Sequence, residues 1–103
     1  MKQLIKINQG DSDTLSETIT GIDSLAGFTA RMFIVDYAGT EVDTLIGTIE
    51  GLVITYKIVN ENSKLYLIGK HDFETKIFDN NDNVYTPTSG KFIVEPVIEE
   101  DPI

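Results

Sequence analysis

The sequence contains no cysteine, no tryptophan and a single histidine, with three prolines in 103 residues. Without thiols there is no disulfide framework and no thiolate metal site. With His71 alone, no second imidazole can complete a metal site. Positive charge is scarce as well: 8 Lys and Arg stand against 17 Asp and Glu, a formal net charge of −9. A surface of that sign repels phosphate backbones and anionic lipid, so no nucleic acid and no membrane is expected as a partner. Its plainer consequence is solubility. No stretch approaches the roughly 18 apolar residues that a membrane span needs. Met1-Lys2-Gln3-Leu4-Ile5-Lys6-Ile7 has a basic start but no apolar run of signal-peptide length. The expectation is synthesis and retention in the producer's cytosol, or export by a route other than a cleaved signal.

Hydrophobic residues make up 41% of the chain and charged residues 24%, which is a globular balance and fits one domain with one core. That domain is expected over residues 1–96, followed by an acidic C-terminal tail, 97–103. In the tail Glu99-Glu100-Asp101 lies between Pro96 and Pro102. Its composition disfavours a helix or a paired strand, so it is expected to be an arm that orders on a neighbouring subunit.

Period-two alternation dominates the domain. Phe28, Ala30, Met32 and Ile34 share one face of a strand whose other face carries Thr29, Arg31, Phe33 and Val35. Leu52, Ile54, Tyr56 and Ile58 alternate with Thr55 and Lys57. His71, Phe73, Thr75 and Ile77 alternate with Asp72, Glu74, Lys76 and Phe78. Phe92 and Val94 mark a closing strand that Pro96 ends. Shorter strands are expected at Gln3–Asn8, Glu41–Ile46, Lys64–Leu67 and Asn83–Thr86. Asp36-Tyr37-Ala38-Gly39, Asn60-Glu61-Asn62-Ser63 and Asp79-Asn80-Asn81-Asp82-Asn83 read as hairpin loops. Leu15, Ile19, Ile22 and Ala26 have helical spacing, and Thr14 with Glu17 matches a capping box. The β-branched Thr18-Ile19-Thr20 and Gly21 oppose a helix and favour an irregular strand. Strands at regular spacing bounded by turns indicate an all-β sandwich or barrel. Met32, Ile34, Ile54, Tyr56, Phe73 and Phe92 are the expected core.

Reactive constellations fail on inspection. Gly10-Asp11-Ser12-Asp13 has the look of a serine-esterase block, but the only histidine lies within a strand pattern and Ile68 stands where its aspartate would be. An Asx-type turn explains it better. Asp79, Asn81 and Asn83 match the first calcium-loop ligands, yet Val84 replaces the required Gly and Gly90 the bidentate Glu. Asp11, Asp13 and Asp23 read as solvated loop acids, and His71 as a half-buried strand residue. Tyr37, Tyr56, Tyr66 and Tyr85 are available for sugar or protein contacts, although Tyr56 belongs to the core face. No catalytic residue, metal ligand or cofactor is assigned.

The order of several short motifs resembles the N-terminal domain family of phage baseplate upper proteins. These motifs are Gly10-Asp11, Leu25-Ala26-Gly27-Phe28-Thr29, Phe33-Ile34-Val35-Asp36 leading to Gly39-Thr40, Gly69-Lys70-His71-Asp72-Phe73, and Gly90-Lys91-Phe92-Ile93-Val94. The resemblance spans nearly the whole chain. It implies an immunoglobulin-like antiparallel β-sandwich of about seven to eight strands. It also implies a non-catalytic structural role in a phage or prophage tail, as a docking module of a baseplate or fibre. The expected partners are other tail or virion proteins, with a homo-oligomer as a further option, and the expected location is the virion. The alternative is an immunoglobulin-like binding module for a host surface glycan or protein. Exposed aromatics beside carboxylates or amides would mark a glycan binder. An apolar patch or an unpaired strand edge would mark a docking module.

Overall fold

Alternating apolar residues set which face each strand buries, and two sheets closing over those faces make the core. The computed structural model describes residues 2–36 and 38–96. Tyr37 and the acidic tail 97–103, with the expected arm, lie outside the described residues. The strands are β1 (Lys2–Asn8), β2 (Asp13–Thr18), β3 (Thr29–Asp36), β4 (Glu41–Ile46), β5 (Thr48–Glu50), β6 (Val53–Ile58), β7 (Gly69–Phe78) and β8 (Val84–Glu95). A one-turn helix, α1 (Asn60–Ser63), lies between β6 and β7. The larger sheet has the order β1-β8-β7-β3-β4 and the smaller β2-β6-β5. The expected all-β, immunoglobulin-like sandwich is the fold observed.

Between the sheets lie Ala30, Met32 and Ile34 from β3, Ile54, Tyr56 and Ile58 from β6, and Phe73 and Ile77 from β7, with Phe92 and Val94 from β8. All six expected core residues are buried. Glu17 is a polar member of the facing surfaces. Its Oε1 accepts from Thr88 Oγ1 at 2.7 Å and its Oε2 from the Tyr56 hydroxyl at 3.2 Å. Burial above all, then the Glu17 carboxylate, pushes the Tyr56 phenol far above its ordinary value.

The chain changes sheets between β4 and β5 at Gly47. A Cβ there would stand 2.7 Å from Ile54 Cγ2 and 2.8 Å from Tyr56 Cε1, so only glycine lets the backbone turn this close to the core.

Two hairpins share one clamp. Asp36 Oδ1 accepts the N–H groups of Ala38 and Thr40, each at 2.9 Å. Asp79 Oδ1 accepts those of Asn81 and Asn83 at 2.8 and 2.9 Å. In both loops the fourth residue is left-handed, Gly39 with φ 85° and Asp82 with φ 64°. The second loop is the segment that resembled a calcium site. Its first carboxylate is taken by the loop's own donors, as a hairpin loop requires.

Several expectations need correction. β1 pairs with β8 in parallel, Lys2 opposite Ser89 through Asn8 opposite Glu95, so the larger sheet is mixed rather than wholly antiparallel. Asn83–Thr86 and the closing strand are one strand, β8, bent by a bulge. Thr75 faces Thr88 and Ile77 faces Tyr85, which sets Thr86 and Pro87 against Lys76 alone. Pro87 falls within this bulge, a position where a strand accepts proline. The segment of mixed signals is a strand only over Asp13–Thr18 and continues as a loop to Phe28. Asn60–Ser63 is helical rather than a hairpin loop, and Lys64–Leu67 is not a strand. There Ser63 and Tyr66 are buried three residues apart, the spacing of a turn, while Leu65 and Leu67 point outward.

Candidate functional site

The connection from β6 to β7 lies at one pole of the sandwich. The β1–β2 turn, the β3–β4 hairpin and the end of β8 lie at the same pole, as the pairings Asn8–Glu95, Gly69–Val94 and Asp36–His71 require. Three buried polar side chains hold this connection. The Ser63 hydroxyl donates to the Asp11 carbonyl at 2.6 Å. The Tyr66 hydroxyl donates to Asp43 Oδ2, its ring meets Phe92 edge-on with centroids 6.1 Å apart, and its carbonyl accepts Gln9 Nε2 at 2.7 Å. Burial first, then the bond to Asp43, raises the Tyr66 phenol far above its usual range. His71 Nε2 donates to the Leu67 carbonyl at 2.7 Å, and Nδ1 is buried without a partner among the described residues.

Between these anchors the loop turns its large aliphatic side chains outward. Leu65 is 76% exposed, Leu67 67% and Ile68 53%, with Val59 at 47% just before α1. Val42 of β4 lines a small depression beside Leu65 and Tyr66. Leu65, Leu67 and Ile68 together form a run of exposed aliphatic side chains in the loop. Because the anchors already fix its backbone, the loop would lose little further freedom on contact.

Two of the strand edges, those of β2 and β4, are less open. In β2 the Thr14 N–H is taken by Asp13 Oδ1 and in β4 the Thr44 N–H by Asp43 Oδ1, each at 2.8 Å. Two of the four edge strands, β2 and β4, thus have one backbone donor satisfied by the preceding aspartate, which blunts strand addition there.

The opposite pole carries the aromatics that a sugar site would need. Phe28 and Tyr85 lie with ring centroids 6.4 Å apart, and Asn80 packs against Gly27. Tyr85, 43% exposed, is the most exposed aromatic among the described residues. A shallow depression on the outer face of the larger sheet, lined by Gln3, Asp72, Glu74, Ser89, Gly90 and Lys91, contains the 2.6 Å Asp72–Lys91 ion pair.

Of the residues singled out in the sequence, Ser12 lies exposed in the β1–β2 turn, while His71 is buried and committed to Leu67. They do not form a nucleophile–base pair. Asp11 contributes its backbone carbonyl as the acceptor for Ser63, and Asp13 holds the Thr14 amide. Asp23 is an exposed loop residue. Among the described residues no cluster of three metal-ligating side chains occurs, and no helix is long and apolar enough to cross a membrane. The Leu65–Ile68 surface was missed because alternation suggested a strand. Its available signal was three large aliphatic residues in four positions directly after a polar turn.

No protein-family model and no curated protein matches this chain. Solved structures do. The fibronectin(III)-like modules of Clostridium thermocellum CbhA superpose with a TM-score of 0.57 at 15% identity, covering 95% of this chain and 93% of the module. The fold is that of a fibronectin(III)-like sandwich. CopC from Methylosinus trichosporium OB3b gives a TM-score of 0.57 at 11% identity, covering 93% of this chain and 87% of CopC. A candidate glycoside hydrolase from Bacteroides vulgatus ATCC 8482 gives 0.58 at 16% identity, and there the match covers 94% of this chain and only 17% of the other. At these identities the likeness speaks to architecture alone.

Proposed function

We propose that this chain is a non-catalytic docking module of a phage or prophage tail, engaging other virion proteins through the Leu65–Ile68 surface. One observation carries the docking reading: Leu65, Leu67 and Ile68 are exposed on a loop that Ser63, Tyr66 and His71 hold from within. A fold shared with modules of larger proteins supports a role as a building block. The phage assignment rests on the motif order of the sequence, from Gly10-Asp11 to Gly90-Lys91-Phe92-Ile93-Val94.

Mass spectrometry of purified particles tests the location, and pull-down with neighbouring tail proteins tests the surface. The expected result is a virion component whose capture is lost in the Leu65→Ser, Leu67→Ser double variant while its thermal unfolding is unchanged. Absence from particles together with retention on a host-glycan array would replace this reading with the glycan-binding one, and Phe28, Asn80 and Tyr85 would become the residues to substitute.

A further inference from the structure

The pole that presents the exposed aliphatic side chains is also acidic. Asp11 in the β1–β2 turn, Asp36 and Glu41 at the β3–β4 hairpin, Glu61 in α1 and Glu95 at the end of β8 all lie there. Lys64 and Lys70 flank the loop in sequence, and Lys6 of β1 and Lys57 of β6 lie toward the same pole, so acids are in surplus there over four lysines. The chain as a whole carries a net charge of −9. Two copies meeting at this pole would bring together two surpluses of carboxylates around their apolar centres, and like charges across an interface oppose association. A partner of opposite rim charge meets no such penalty and is steered toward the pole by its field.

We infer that the occupant of the Leu65–Ile68 surface is a protein with an apolar face rimmed by lysine or arginine, and not a second copy of this chain. This rests on the docking reading above and adds the chemistry of the partner. The aliphatic side chains pack on that face and supply residence time. The surrounding carboxylates meet the basic rim at exposed positions, where they act on encounter rate and salt dependence.

The test uses the isotope-labelled full chain and two amphipathic helical peptides with identical leucine positions, one filled out with lysine and the other with glutamate. The lysine peptide is expected to shift the amide resonances of Leu65, Leu67 and Ile68. It should bind about tenfold or more tighter than the glutamate peptide and weaken as salt is raised. The Leu65→Ser, Leu67→Ser double variant, whose changes lie at exposed positions, should abolish the response. Equal binding of both peptides at these amides would overturn the basic rim while leaving the docking reading intact. Binding of the lysine peptide that the double variant leaves unchanged would show diffuse charge attraction and remove the surface itself. No shift with either peptide would overturn the basic-rimmed apolar face as the partner chemistry, and the particle analysis would then judge docking separately. A concentration-dependent dimer in sedimentation, with shifts at the same amides, would make the second copy the occupant.

Discussion

Thr88 of the larger sheet donates its hydroxyl hydrogen bond to Glu17 of the smaller sheet at 2.7 Å, across the seam of the sandwich. Tyr56 donates to the same carboxylate from β6, so one acid ties three strands on two layers. Glu17→Ala leaves both hydroxyls without this acceptor. A loss of about 1–3 kcal/mol is expected from urea unfolding, the range for stranding partly buried donors. Glu17→Gln, which keeps an acceptor oxygen, should recover part of it.

Phe73 is 3% exposed and lies in the core between the sheets. Phe73→Ala should cost about 3–5 kcal/mol, the range for emptying a buried aromatic site. Denaturant unfolding measures it, and a loss well below 1 kcal/mol would contradict the inward placement.

High pH should unfold the protein through Tyr56 and Tyr66. Both phenols are raised by burial and by the carboxylates of Glu17 and Asp43. The unfolded chain releases these protons near about pH 10, whereas the folded chain holds them. Stability is therefore fully present below that pH and falls as pH rises above it. Phenolate absorbance should show Tyr56 and Tyr66 ionising only together with loss of the β-type circular dichroism. Tyr56→Phe should reduce the slope of stability against pH.

At low pH the relevant group is Asp79. The Asn83 side-chain amide foremost, with the backbone donors of the loop, holds its carboxyl below the ordinary aspartate value. Its contribution is present above the unfolded aspartate value of about 4 and is lost as pH falls through the lower folded value. A carboxyl-carbon NMR titration should place Asp79 below a free aspartate. With that carboxylate already accepting loop donors, added calcium or chelator should leave the melting temperature unchanged.

Gly90 should report on the β1 contact. A Cβ at Gly90 would fall 1.9 Å from the Gln3 carbonyl oxygen, an impossible approach to backbone. Gly90→Ala is expected to push β1 away from β8. Hydrogen exchange should then accelerate in Lys2–Asn8 well before it does in β3 and β7.

Period-two alternation made the core legible, since Met32, Ile34, Ile54, Tyr56, Phe73 and Phe92 all face inward. It failed where tertiary anchors outrank pattern. Lys64-Leu65-Tyr66-Leu67 alternates like a strand, but Tyr66 is pulled inward by Phe92 and Asp43, and its two leucine neighbours are left outside. Alternation along Lys64–Leu67 tells which residues share a side, not whether a neighbouring strand exists to pair with them. Parallel pairing of β1 with β8 depends on residues more than 80 positions apart, and Gly90 within a strand was its one local trace.

That pairing also sets how the module would respond to pulling. Because β1 and β8 run in the same direction, tension applied at Lys2 and Glu95 loads the strands lengthwise in opposite senses. Their hydrogen bonds, from the Lys2–Ser89 pair to the Asn8–Glu95 pair, then share the load in shear. An antiparallel pair drawn apart at one end would give way bond by bond. The terminal strands therefore form a mechanical latch, and extension of the chain should meet one abrupt resistance before the sandwich opens.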